Sequence, residues 1–207
     1  MQTKQELRKT ILQKRNMLSL MERQTKSQTI AKKIIESIEY KEAEKLLLFV
    51  SHGSEVDTEE IMAHALECGK SVYVPKVQGN KMEFYQIKGR EDLCEGYRGI
   101  LEPKVCKNLF VLEERDLKIC ILMPGAVFDA KGGRIGYGGG FYDKFLQALE
   151  LEIKQKKKGI KILSKIAIAY ECQIVECGQI PKEEHDIAPD CIMTEKERYC
   201  WRNKYFC

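Results

Sequence analysis

The spacing of short apolar runs constrains this chain most. Residues 46–50, 71–75, 119–124 and 162–169 are mostly apolar, each too short for a buried helix. Continuous runs of that length bounded by turn residues read as buried strands. Between them lie stretches with helical spacing. Leu7, Ile11 and Leu12 form one stripe, and Ser19-Leu20-Met21-Glu22 has the form of a capping box opening a helix that reaches about Ile38. Asp57-Thr58-Glu59-Glu60 repeats that form and opens a helix ending near Gly69, before the strand at 71–75. Strand, helix, strand implies a right-handed parallel crossover.

Further along, 82–87 alternates like a strand, and 97–103 carries a Gly-Ile-Leu-Glu-Pro turn expected to return the chain across the sheet. The strand at 119–124 feeds a glycine-rich segment, followed by a helix over 140–150, a lysine-rich surface loop over 154–161, the strand at 162–169 and a last strand over 191–194. This order predicts a three-layer α/β/α fold with a mostly parallel, Rossmann-like open sheet in one domain of residues 1–207. Such sheets bind ligands beyond the carboxyl ends of their strands, which makes 51–57, 124–141 and 170–186 converging loops.

Composition narrows the class. With 207 residues, 43% hydrophobic and 32% charged, the chain suits a soluble globular protein with a sizeable core. No run reaches the length of a membrane span and the N-terminus is too polar for a signal-peptide core, so a cytoplasmic protein is expected. The net charge of +4 is too mild for a nucleic-acid footprint, and aromatics are not interleaved with the basic residues. Nine cysteines show no close metal-type pairs and read as reduced thiols.

The segment 132–143, Gly-Gly-Arg-Ile-Gly-Tyr-Gly-Gly-Gly-Phe-Tyr-Asp, has the layout of an anion-binding loop at a helix start. It is not a dinucleotide fingerprint, because Phe141 stands where Gly136-Tyr137-Gly138 requires the third glycine. Nor is it a Walker A loop, because Gly133 and Gly138 are followed by Gly139 and Gly140 instead of Lys-Ser/Thr. Arg134 offers a planar fork for phosphate. Asp143, in the first helical turn, suits magnesium against phosphate oxygens and equally suits the helix dipole.

Met-Pro-Gly-Ala-Val-Phe-Asp at 123–129, with the glycine segment through Lys144, closely resembles the signature of the 5-formyltetrahydrofolate cyclo-ligases. So do Lys-Gln-Glu-Leu-Arg at 4–8, Ser-His-Gly-Ser-Glu-Val-Asp-Thr at 51–58, Gly-Ile-Leu-Glu-Pro at 99–103 and an Ala-Tyr-Glu-Cys-Gln, Ile-Pro, His-Asp series from 169 to 186. The resemblance implies ATP-dependent cyclisation of 5-formyltetrahydrofolate to 5,10-methenyltetrahydrofolate, with ADP and phosphate released. It puts Lys4 and Arg8 on ATP phosphates, on one helix face at i, i+4. It makes Arg134, Ile135, Gly136, Tyr137, Gly138, Gly139, Gly140, Phe141 and Tyr142 the nucleotide loop, with Arg134 and Tyr142 catalytic. Val50, Glu55 and Tyr137 to Phe141 would border the folate, Glu55 accepting paired N–H groups of the pterin. Val50 is equally core, and Glu55 equally a loop acid. Asp143 and Asp186 correspond to magnesium-linked carboxylates, and His185 is equally an assisting polar group or a plain turn histidine. The resemblance implies a monomer binding ATP and 5-formyltetrahydrofolate, including polyglutamylated forms, with Mg2+ and with neither nucleic acid nor membrane. Phe141 and Gly139 depart from relatives that carry tyrosine and lysine at those positions.

Overall fold

The computed structural model describes residues 2–113, 118–155, 162–181, 183 and 186–201. Helices α1 (Lys4–Asn16) and α2 (Leu20–Glu36) each open with a full capping box. In α2 the Ser19 hydroxyl accepts from the Glu22 N–H at 3.2 Å, while the Glu22 carboxylate accepts from the Ser19 N–H at 2.8 Å. The helix stops short of residue 38 because Ser37 turns out at ψ 148 and restarts the chain as α3 (Ile38–Glu42). Beyond β1 (Lys45–Leu47) comes α4 (Glu59–Glu67), whose start differs from the expected capping box. Thr58 is the N-cap residue, but its hydroxyl donates to the Phe49 carbonyl at 2.9 Å, so Asp57 takes up the Glu59 N–H instead.

The chain continues through β2 (Ser71–Gln78), β3 (Lys81–Ile87), β4 (Leu93–Glu95), β5 (Leu101–Pro103), β6 (Lys118–Met123), β7 (Val127–Asp129) and β8 (Arg134–Ile135). Helix α5 (Phe141–Gln155), β9 (Ile162–Ile168), β10 (Ile174–Val175), β11 (Cys191–Met193) and β12 (Arg198–Cys200) complete it. Seven strands form one sheet in the order β12-β11-β9-β6-β1-β2-β3. The five inner strands are parallel, and β3 and β12 close the two edges antiparallel. The expected alternation at 82–87 is β3, the outer arm of a hairpin with β2. The segment 97–103 does not cross the sheet; β5 pairs with β4 in a separate two-stranded ribbon.

Alternate residues of the central strands bury opposite faces. Leu46, Val72, Leu122 and Ile166 share a core with Ile30 and Ile34 of α2 and Ile61 of α4. Leu47, Tyr73, Ile121 and Ala167 share another with Leu146 and Leu149 of α5. Burial on both faces explains why these strands are apolar at consecutive positions, and the layers are the expected α/β/α. A smaller sheet in the order β10-β7-β8 lies beside the large one, and α1 packs on it through Leu7 and Ile11. Among the described residues, no helix is long and apolar enough to cross a membrane.

Candidate active site

Beyond the carboxyl ends of β1, β6 and β9 the three expected loops meet. The Tyr170 hydroxyl donates to the Glu55 carbonyl at 3.1 Å, and Gln173 Nε2 donates to the Gly125 and Ala126 carbonyls at 2.8 and 3.1 Å. The first two loops, with β2, β3 and the segment 97–102, line a cavity of ≈ 580 Å³, in the size range of small-molecule sites; the 170–186 loop braces them from outside its lining.

One end of the cavity is basic. Arg134 belongs to strand β8 and not to the glycine loop, which starts only at Gly136. Strand placement buries its guanidinium, which donates to the Asp143 carboxylate at the start of α5 and to the Pro124 carbonyl at 3.4 Å. Its Nε is buried with no acceptor among the described residues. The loop then turns through Gly138 at φ 98 and Gly140 at φ 64, conformations open to glycine at little cost. Gly140 closes the first turn of α5 by accepting from the Lys144 N–H at 3.0 Å, so the loop enters α5 at its positive end. Gly136 to Tyr142 all line the cavity. Ile135 does not: its side chain is buried beneath α1 with Leu7 and Ile11.

Helix α1 lies against this loop. Arg8 Nε donates to the Gly136 carbonyl at 2.8 Å, and Lys4 Nζ donates to both Asp186 oxygens at 2.7 and 3.0 Å and meets Glu183 at 3.3 Å. Partial burial works to lower the Lys4 pKa, but its bonds to Asp186 and Glu183 outweigh this and raise it. The Ile187 N–H donates to Asp143 at 3.2 Å, which seats the segment bearing Asp186 against the start of α5. Lys4, Arg8 and Asp186 therefore do not line the cavity themselves; they reach it through Gly136 and Asp143. His185, and residues 156–161 of the lysine-rich stretch, lie outside the described residues.

At the other end stands Glu55, which accepts the His52 N–H at 2.9 Å and is hydrogen-bonded to the Tyr137 hydroxyl. Burial pushes its pKa above the ordinary carboxylate value, opposed by those bonds and by the charge of Arg15. Arg15 is buried, donating to the Ser54 hydroxyl at 2.9 Å and to the Tyr137 hydroxyl at 2.5 Å. Burial and the Glu55 charge raise the Tyr137 pKa. Val50, Phe49, Pro75 and Met82 make an apolar wall, with Tyr97 edge-on to Phe141 at 6.2 Å. The Tyr142 ring packs on Phe84 at 6.1 Å, while its hydroxyl is buried without a partner among the described residues. Burial and Glu55 hold that phenol protonated, against the pull of Arg134.

Arg15 and His52 were not singled out from the sequence. Arg15 had a signal: Leu7, Ile11 and Arg15 fall at i, i+4 and i+8, so an arginine occupies a position of the apolar stripe.

An α/β cleft that joins buried cations, a glycine loop at a helix start and an isolated acid has the makeup of an enzyme's ligand site. The model of the 5-formyltetrahydrofolate cyclo-ligase family matches residues 1–195, and the chain belongs to that family. It is 29% identical over 203 residues to the mouse 5-formyltetrahydrofolate cyclo-ligase, covering 93% of each chain. To the mitochondrial cyclo-ligase of Arabidopsis thaliana it is 31% identical over 186 residues, covering 83% of this chain and 66% of that protein. The solution structure of the Aquifex aeolicus 5,10-methenyltetrahydrofolate synthetase superposes with a TM-score of 0.76 at 31% identity, covering 99% of this chain and 95% of that one.

Proposed function

We propose that this enzyme uses ATP to cyclise 5-formyltetrahydrofolate to 5,10-methenyltetrahydrofolate, releasing ADP and phosphate. The observation that carries the reading is the pair of buried, unsatisfied polar atoms, Arg134 Nε and Tyr142 Oη, on residues that line one cavity with Glu55. Unmade bonds on buried polar groups are costly, and a ligand with phosphate and carbonyl oxygens supplies acceptors for both.

A formyl oxygen is a poor leaving group. Its attack on the γ-phosphorus expels ADP and leaves an imidate phosphate. N10 then bonds to the activated carbon and loses its proton, and the C–O bond breaks with departure of phosphate. Arg134 and the amides of Gly136 to Gly140 neutralise charge on the moving phosphoryl group, and Tyr142 donates to an oxygen at the reacting centre. Lys4 and Arg8, outside the cavity lining, act on the outer phosphates through Asp186 and the Gly136 carbonyl that they hold. Glu55, as a carboxylate, accepts paired N–H groups from the pterin, whose faces rest on Val50 and Phe141.

Two carboxylates on touching segments suit a magnesium ion that keeps several waters, and Asp143 and Asp186 would hold it. Bound there, magnesium supplies charge neutralisation and alignment of the phosphates. The reading carries a soluble, cytoplasmic, monomeric protein with it, and the free thiols among the described residues suit a reducing compartment. Arg98, on the cavity lining, offers a positive charge for the added carboxylates of polyglutamylated folates.

The test is the growth of methenyltetrahydrofolate absorbance from 5-formyltetrahydrofolate and Mg-ATP, with ADP released in equal amount. Absence of ATP-dependent turnover by the folded protein overturns the proposal.

A further inference from the structure

The hairpin of β11 and β12 places two cysteines opposite each other at the sheet edge. Cys191 pairs with Cys200, Ile192 with Tyr199 and Met193 with Arg198. At the turn, the Thr194 N–H donates to the Glu197 carbonyl at 2.9 Å, making that a hydrogen-bonded pair. Such pairs alternate with non-hydrogen-bonded ones along an antiparallel ladder, so Cys191 and Cys200 form a non-hydrogen-bonded pair. Their Cα atoms then stand about 4.5 Å apart, inside the roughly 4.4–6.8 Å that a disulfide spans. Both thiols are free, and each acts on the other's ionisation.

The surroundings divide the roles. Cys200 is exposed, and its Sγ accepts from Arg198 Nε at 3.1 Å, whereas Cys191 is buried. The Cys191 thiol and Arg198 together lower the Cys200 pKa against burial and the charge of Glu39, which itself accepts from Arg198. An exposed thiolate beside an arginine, with a second thiol in bonding range, is the arrangement of an attacking and a resolving cysteine. The hairpin is also held still from α2: Lys33 Nζ donates to the carbonyls of Thr194, Glu195 and Lys196 at 3.0, 2.9 and 2.8 Å, and Lys26 pairs with Glu195.

We infer that Cys200 and Cys191 form a reactive dithiol site, separate from the cleft, that takes peroxides or small disulfides as its oxidants and closes to a cross-strand disulfide. With a peroxide, the Cys200 thiolate attacks one oxygen and hydroxide leaves, giving a sulfenic acid. The Cys191 sulfur then attacks the Cys200 sulfur; the sulfenic oxygen leaves as water and the disulfide remains. With a small disulfide, Cys200 attacks one sulfur and expels the other as thiolate, and Cys191 displaces the attached half in the same way. The site goes beyond the folate chemistry and does not depend on it.

The test uses the full chain in its native state. At neutral pH, iodoacetamide should label Cys200 about tenfold faster than exposed Cys68 or Cys94, and Arg198→Gln should remove most of that advantage. After limiting hydrogen peroxide or oxidised glutathione, peptide mapping should find a Cys191–Cys200 link. Cys191→Ala should instead stop the reaction at a Cys200 sulfenic acid or a mixed disulfide with glutathione. The inference is overturned if Cys200 labels no faster than Cys94, or if limiting oxidant leaves Cys200 free in the folded protein or links it to another cysteine.

Discussion

The two ends of the cleft hold their charges differently. At the basic end Arg134 faces Asp143 and Lys4 faces Asp186, so each cation is fixed in place and in charge by a carboxylate. At the other end Glu55 has no cation bonded to it among the described residues. Its contacts are a backbone N–H and a phenol, while Arg15, bonded to Ser54 and Tyr137, acts on it only through its charge. A paired cation is indifferent to pH across the working range. A half-buried acid whose pKa is raised by burial is not. Substitutions at the basic end should therefore change rates at every pH, and those at the acid end should change how the rate depends on pH.

The strongest way to break the contrast is Arg134→Ala, expected to lower kcat by about 10³-fold at all pH values with the circular dichroism spectrum unchanged. A pH-dependent loss would put Arg134 in the same class as Glu55. Next is Glu55→Gln, for which kcat/KM toward 5-formyltetrahydrofolate should fall by about 10²-fold while the KM for ATP holds. Wild-type kcat/KM should rise with pH through a value above the ordinary carboxylate range, because only the carboxylate accepts N–H groups and burial raises its pKa. The glutamine variant should lose that limb of the profile.

Arg15→Met comes third, with about a tenfold rise in folate KM. Arg15 lowers the Glu55 pKa, so its removal should move the acid limb to still higher pH. An unmoved limb would detach Arg15 from Glu55. The smallest effect belongs to Lys4→Met, a few-fold rise in ATP KM, because Lys4 lies outside the cavity lining and its ion pair is partly open to water.

The inner strands and the meeting of three loops were legible because burial on two faces leaves unbroken apolar runs. The break at Ser37 was not: a serine inside a periodic helix reads as a surface residue until its backbone turns out. The glycine segment was legible as a loop but not as a hairpin arm, since Arg134 and Ile135 form a two-residue strand with no period to detect. Ile135 shows the cost, being a core residue within a functional motif. The dithiol was hidden for a related reason. Cys191 and Cys200 are far apart by motif spacing, and only the turn at 194–197 brings them opposite.

Helix α1 supplies Lys4, Arg8 and Arg15, and so touches both ends of the cleft. It does so from a small separate core, Leu7 and Ile11 on Ala126, Val127, Ile135 and Ile180, while α2 and α4 are rooted in the main one. Its amides should therefore exchange with solvent through a local opening that leaves the large sheet intact. Ligands that draw on its three cations bind the docked helix alone, so each spends part of its affinity holding α1 down. Nucleotide and folate would then strengthen one another through the helix, and slowed α1 exchange is where that coupling would be read.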